Sequence, residues 1–419
     1  MDSIHYSRFF HLYLFKSLFL NNNNIKMSEK ISVVTILNGE KEFIPLIIDN
    51  YNNFCNNENH KNYIQELELV IIDDGKENLS DCFQELTNCI YIHLNQDDIN
   101  KFMDQIEEEY KQPNKNLLRY QRLCKKLPKG FKRDYACGIS SNDYIFHMDL
   151  DCIYNKKTIE RKINFMKRTN AECIYCDTTL AYDIYGKELY KTESPIKIYE
   201  STLFHTREFW KRKGFKWSDT IYEGKLFHYN NGVDRKMDNY YDTIRLLSVH
   251  NINQYKPIRI TLENMKIDIP ELIHQINITE HPFTKYIHSI YDNQIDILGL
   301  DSEYLEYHTN DNWKITNIKE KWKQTKLSKM ILKISDKFNI LLYNSKQPAW
   351  DLFNNIQFDI IMMETHKNYE QMTSIINQCK KYNYLMIDGI FVREDFLNQG
   401  LDDPVSASVN SSLPPDSSS

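Results

Sequence analysis

An α/β protein is what this sequence predicts, and three observations carry the expectation: apolar runs of strand length, amphipathic helical stretches between them, and acidic residues closing successive runs. Alternation of the two element types is the signature of a mostly parallel sheet covered by helices.

The opening strand is ISVVTIL (Ile31 to Leu37), and Phe43, Leu46, Ile47, Tyr51 and Phe54 follow at the spacing of one helix face. LELVIID (Leu67 to Asp73) gives a second strand, closed by Asp74-Gly75, and CIYIHL (Cys89 to Leu94) a third. Ile99, Phe102, Ile106 and Tyr110 mark another helix, and a polar, Lys-rich stretch leads to a helix from about Gly130 to Ser141. YIFHMDLD (Tyr144 to Asp151) is a fourth strand running into acidic residues; Ile159, Ile163 and Met166 line a further helix, and ECIYC is a fifth strand.

The texture changes near Lys256, where Pro257 and Pro270 flank a polar segment. Beyond it a second, smaller α/β unit opens with IPELIHQINI as a strand. NILLYN (Asn339 to Asn344), FDIIMMET (Phe358 to Thr365) and YLMIDGIFV (Tyr384 to Val392) supply three more. The expected organisation is a leader over 1–27, a first domain over 28–255, a second over 266–400 and a Ser/Pro-rich tail over 401–419 too poor in apolar groups to fold.

A net charge of -6 argues against a nucleic-acid partner, which would demand clustered Lys and Arg against phosphates. The basic stretch Lys125 to Lys132 is the local exception, a candidate for phosphate contacts. The leader's FFHLYLFKSLFL run, broken by His11 and Lys16, is too short to span a bilayer, so no transmembrane segment is expected. Nine scattered cysteines fit a reducing compartment, hence a cytoplasmic or membrane-peripheral location. Cys173-x-x-Cys176 lacks a second pair to complete a zinc set and reads as two buried thiols.

Three features of the first domain belong together if the ligand is a nucleotide diphosphate with a metal. Thr35 and Asn38 stand at the carboxyl end of the opening strand, where an α/β sheet places its ligands. Asp73 and Asp74 end the next strand, able to accept hydrogen bonds from a base edge or from ribose hydroxyls. Asp149 and Asp151 close the fourth strand as Asp-x-Asp, two hard oxygen donors able to hold a divalent ion against a β-phosphate.

The segment KRDYACGISSNDYI (Lys132 to Ile145), read with Asp149 and Asp151, resembles the family-2-like glycosyltransferases of GT-A fold. These carry an Arg-Asn-x-Gly helix, then Gly-(Asp/Glu)-Tyr-Ile, then a strand ending in Asp-x-Asp or Asp-Asp. Arg133 falls on the family arginine and Asp143-Tyr144-Ile145 on the acidic-Tyr-Ile step, while Asp134, Ala136 and Asn142 depart from it. The resemblance covers about Ile31 to Asn253. It implies a Rossmann-like nucleotide-sugar-binding domain, a UDP- or GDP-linked sugar donor, Mn2+ or Mg2+ on Asp149 and Asp151, and hexosyl transfer with inversion to a glycan, protein or lipid hydroxyl.

Inversion also requires a base on the acceptor side, for which Glu223 is the first candidate and Asp219 the second. Trp217 and Trp210 are candidate sugar platforms, and Asp177 could contact the acceptor. His250 is the candidate third metal ligand, with His228 as an alternative; His147 reads as structural. IPELIHQ in the second unit is similar to the IPKxIHQxW opening of mannosyltransferase-like proteins, but Arg393 stands where that family's first metal carboxylate is expected, so the unit reads as accessory. Two rival functions use the same parts: a nucleotidyltransferase, for which Asn38-Gly39-Glu40 is a poor phosphate loop, and a non-catalytic sugar- or nucleotide-binding module.

Overall fold

The structure, a computed structural model, describes residues 29–56, 64–109, 115–184, 187–194, 198–219, 223–229, 234–247, 258–259, 269–275, 295–300, 313–318, 337–343, 356–363, 379–387 and 390–399. The leader, the tail and His250 lie outside these residues. The chain begins with β1 (Glu29–Leu37), α1 (Ile44–Cys55), β2 (Ile64–Asp73), β3 (Cys89–His93), α2 (Gln96–Glu109), α3 (Lys115–Leu123), α4 (Lys129–Ile139), β4 (Tyr144–His147) and β5 (Cys152–Tyr154). It continues with α5 (Thr158–Thr169), β6 (Cys173–Tyr175), β7 (Thr178–Asp183), β8 (Glu188–Glu193), β9 (Phe204–Thr206), α6 (Arg207–Arg212), α7 (Glu223–Tyr229), β10 (Asp234–Lys236), β11 (Thr243–Leu247) and β12 (Ile258–Arg259). Last come β13 (Ile295–Leu300), β14 (Trp313–Ile318), β15 (Lys337–Tyr343), β16 (Gln357–Met363), β17 (Tyr384–Ile387), β18 (Ile390–Arg393) and α8 (Glu394–Gln399).

The α/β class read from the sequence holds. The first sheet has seven strands in the order β10-β6-β9-β4-β1-β2-β3, and only β9 runs against the rest. Its central strands are buried on both faces, which is why they read as unbroken apolar runs. Side chains alternate across β1: Ile31, Val33 and Leu37 pack with Tyr51 and Phe54 of α1 and Ile159, Ile163 and Met166 of α5. Val34 faces the other way, onto the layer of Ile99, Met103 and Ile106 from α2, Leu118 from α3 and Phe131 and Ala136 from α4.

A second, five-stranded sheet, β12-β8-β7-β11-β5, leaves the fourth-strand region through β5 and packs Leu180, Tyr182, Ile244 and Leu246 against Phe43, Leu46 and Ile273. A third sheet runs β14-β13-β15-β16-β18-β17, its first four strands parallel and β17 and β18 a terminal antiparallel pair.

Several expected boundaries change. The fourth strand stops at His147, so Met148 to Asp151 form a loop beyond the sheet edge. YLMIDGIFV is two strands, not one, and IPELIHQ folds as a 3-10 turn over Glu271–Gln275 behind Pro270. A proline supplies no N–H and suits a helical start better than a central strand. Cys173 and Cys176 pack on opposite faces of the first sheet and share no ligand site, and none of the nine cysteines is bridged. No helix among the described residues is long and apolar enough to cross a membrane.

Candidate active site

Parallel pairing brings the ends of three strands to one edge. Leu37 of β1 lies beside Asp73 of β2, Val34 lies beside His147 of β4, and Met148 N–H donates to Val34 O at 2.9 Å. The loops leaving β1 and β2 meet through two glycines: a Cβ on Gly75 would stand 2.5 Å from Gly39 Cα, and Gly39 itself has φ +86°. Only glycine allows that approach.

The nucleotide-side candidates are largely engaged in building this edge. Asp73 Oδ1 accepts the N–H groups of Gly39 at 2.9 Å and Gly75 at 2.8 Å, while Oδ2 accepts Tyr91 Oη–H at 2.7 Å. Its side chain is fully buried, and burial raises its pKa above the usual carboxylate value against those hydrogen bonds. Asp74 takes Leu127 N–H on one oxygen and a buried ion pair with Lys132 at 2.9 Å on the other. Thr35 points into the sheet layers, fully buried, its hydroxyl without a partner. Asn38 alone of this group keeps some exposure, although its amide bonds Glu40 and Lys132.

Two lysines of the basic stretch turn inward, while Lys125 and Lys129 stay exposed. Lys126 Nζ donates to the carbonyls of Asn38 at 3.0 Å and Asp74 at 3.2 Å, and Lys132 Nζ donates to Leu37 O at 3.0 Å. These lysines pin the strand-end loops to α4 instead of offering charge to solvent. Burial lowers the Lys132 pKa, and Asp74 opposes that.

Arg133, the next residue on α4, is the centre of the site. It is buried, donates Nε to Glu223 Oε1 at 2.8 Å and Nη2 to Asp149 Oδ1 at 2.8 Å, and holds Nη1 3.4 Å from His147 Nδ1. Burial alone would lower its pKa, but the Asp149 and Glu223 carboxylates more than reverse that, so the guanidinium stays charged. The position of α4 is set by Gly130, where a Cβ would fall 2.2 Å from Lys216 O and whose N–H bonds Asp219 O at 2.8 Å. Arg133, Asp149 and Glu223 are thus brought into direct contact, with Asp219 close behind.

The same guanidinium engages two of the expected site carboxylates. Asp149 gives one oxygen to Arg133, and its side chain is 26% exposed. Glu223 is only 3% exposed and its carboxylate is paired with the same guanidinium. Asp151 forms no ion pair among the described residues; burial raises its pKa, the Arg245 charge opposes that and the Asp149 charge adds to it. Asp149 and Asp151 are two hard oxygen donors one residue apart, a donor set that could hold a small divalent cation.

Glu200, which no motif in the sequence flags, lies in the same cluster. Its Oε1 accepts Gly224 N–H at 3.2 Å, beside Glu223, in a 3-10 turn over Glu200–Thr202. Burial first, then the Glu223 charge, push its carboxyl up to about 7, against the Arg133 charge. Asp219 is pushed up to about 6 by burial, with Lys216 opposing and Glu223 adding.

The three-residue cluster with metal-ligand chemistry among the described residues is elsewhere: Cys137, His147 and His205, all fully buried. Hydrogen bonds account for it without an ion. His205 Nδ1 donates to Thr206 O at 2.9 Å, which leaves His205 Nε2 to accept His147 Nε2–H at 3.0 Å and His147 Nδ1 to face the Arg133 donor. A metal on His147 Nε2 would put an N–H at Nδ1 against a group that can only donate. Burial holds both imidazoles neutral, His205 down to about 4 and His147 well below its usual value, and pushes the Cys137 thiol up.

Trp217 is held from within the fold. Its indole N–H and that of Trp210 converge on Asp134, each at 2.7 Å, with Phe215 N–H at 2.9 Å, and the Trp217 ring packs edge-on to Phe131. Asp134, a departure from the family asparagine, is an acceptor for three donors. Asp177 pairs with Lys236 at 3.0 Å at a strand end. His228 lies on α7, but its side chain, like His250, is outside the described residues. In the third sheet Arg393 pairs with Asp359 at 3.2 Å and Asp395 at 2.5 Å.

No family model matches the chain, and no curated protein matches it. Among solved structures it is similar to the 1–349 portion of S. aureus TarS, at 13% identity and TM-score 0.35 over 52% of this chain and 60% of that one. The same portion in complex with UDP-GlcNAc matches at 11% identity and TM-score 0.36, over 52% and 58%. A mannosyltransferase, PcManGT from Pyrobaculum calidifontis, in complex with GDP-Man and Mn2+, matches at 10% identity and TM-score 0.33, over 57% and 64%. The chain spans about 60% of the length of these solved chains, and likenesses at this level are too slight to assign a function.

Proposed function

We propose that the chain is a metal-assisted glycosyltransferase, moving a hexosyl group from a UDP- or GDP-linked donor to a hydroxyl of a glycan, protein or lipid with inversion. The observation that carries this reading is the delivery of Arg133, Asp149 and Asp151 to the edge where β1, β2 and β4 end together. Ligands of open α/β sheets bind at the carboxyl ends of their strands, and a departing diphosphate needs positive charge there.

Asp151 and Asp149 would hold Mn2+ or Mg2+. The ion, when bound, supplies charge neutralisation for the leaving diphosphate. Arg133 adds a fixed positive charge at the same point, and Glu223 keeps its guanidinium from swinging away. Asp73 and Asp74 act at one remove, fixing the loops that carry Asn38 and Gly39 as one wall of the donor site. The domain plan stated from the sequence, a donor domain over 28–255 with an accessory unit over 266–400, is part of the proposal.

Calorimetric titration of UDP and GDP, with and without Mn2+, tests it. One diphosphate is expected to bind in a metal-dependent way, and Asp151→Asn to abolish that binding with the thermal midpoint unchanged. Binding of neither diphosphate, or binding indifferent to metal and to Asp151→Asn, overturns the reading.

A further inference from the structure

We infer that Glu200 is the carboxylate that takes the acceptor hydroxyl's proton, a conclusion that rests on the transfer proposed above and names its base. Three observations single it out. Glu223 is sealed off and ion-paired to Arg133, so protonating it would forfeit a charge-assisted hydrogen bond inside the protein. Asp219 is 7% exposed, in the turn that docks on α4, with Oδ2 lacking any partner. Glu200 keeps more exposure than either of them, and it stands in the field of Glu223, Arg133 and Asp149.

Its placement is built into the fold. Gly224 has no side chain at the point where a Cβ would come within 2.9 Å of Glu200 Cγ, and its N–H holds Glu200 Oε1. That hydrogen bond orients the carboxylate without adding a cation beside it. The Asp219 oxygen Oδ2, buried beside Glu223, has no hydrogen-bond partner among the described residues.

In the step itself the acceptor O–H proton passes to Glu200 as the acceptor oxygen bonds the anomeric carbon. The bond from that carbon to the diphosphate oxygen breaks, and its electron pair leaves with the nucleotide diphosphate. Burial and the Glu223 charge suit Glu200 to accept a proton near neutrality.

The test uses the full chain with UDP-glucose, UDP-N-acetylglucosamine and GDP-mannose, measuring hydrolysis and, separately, transfer to azide, an acceptor that carries no proton. Glu200→Gln is expected to slow hydrolysis by at least about 100-fold, to abolish its limb in the pH profile, and to leave diphosphate binding intact. Azide is expected to restore most of the lost rate, and Glu200→Asp part of it without azide. Full hydrolysis by Glu200→Gln in a wild type that turns over donor sinks the assignment to Glu200 alone. Loss that azide does not relieve assigns Glu200 to the scaffold and sinks it as well. A wild type inert toward all three donors overturns the transferase reading and Glu200 with it.

Discussion

Arg133 Nη2 lies 2.8 Å from Asp149 Oδ1, and the same guanidinium closes on Glu223 through Nε. Removing one member of such a buried group strands the other charges, at a cost of about 3–5 kcal/mol. Arg133→Ala is therefore expected to lose stability of that order in urea unfolding. Arg133→Lys should recover only part of it, since an ammonium cannot present two donors in a rigid fork. An Arg133→Ala protein as stable as wild type would show that the clasp is dispensable.

Lys132 and Asp74 form a second, fully buried pair at 2.9 Å. Lys132→Met leaves Asp74 only the more distant Lys126, 4.0 Å away, and is expected to cost about 3–5 kcal/mol, whereas Lys132→Met with Asp74→Asn should cost clearly less than the sum of the single changes. A double-mutant cycle by chemical denaturation measures the difference. Strict additivity would mean that the two side chains do not stabilise each other.

Stability should fall on acidification through the His147–His205 pair. The folded His205 pKa, about 4, lies below the ordinary 6.5, so between those values the unfolded chain binds more protons than the folded one. The contribution is complete above pH 6.5 and is lost as pH falls toward 4, amounting to at most about 3 kcal/mol for this residue. Unfolding free energies at pH 7 and pH 5 check this, and His205→Gln should flatten the slope between them.

Gly130→Ala forces a methyl group to within 2.2 Å of Lys216 O, a backbone atom that cannot swing aside. Overpacking of that kind costs about 1–3 kcal/mol. Because the same contact seats α4, the substitution should also weaken Mn2+-dependent diphosphate binding. Calorimetry with unchanged affinity would separate the seat of α4 from the site.

Much of the first sheet is legible in the sequence because β1, β2 and β4 are buried on both faces, and an unbroken apolar run leaves few alternatives. The second sheet is not. In ELYKTE of β8 the pattern is mostly polar and β5 is three residues long, as is β9 of the first sheet, so the pairing of these short strands depends on partners distant along the chain. Site residues divide in the same way. Arg133 and Asp149 stand in a motif, but their ion pair, and its extension to Glu223 90 positions away, is a tertiary fact. The burial of Thr35 carries no sequence signal, since on a strand buried on both sides every position is covered. Glu200 carries no local signal at all: its meaning comes from Gly224, and neither residue names the other in sequence.

The two indoles that share Asp134 give the protein an internal optical reporter. Trp210 and Trp217 flank the segment that carries Phe215 and leads to Asp219, and both are anchored to the same helix as Arg133. Any ligand that shifts that helix must alter how two of the chain's five tryptophans are solvated. Near-ultraviolet circular dichroism can therefore follow occupancy of the cleft without a label.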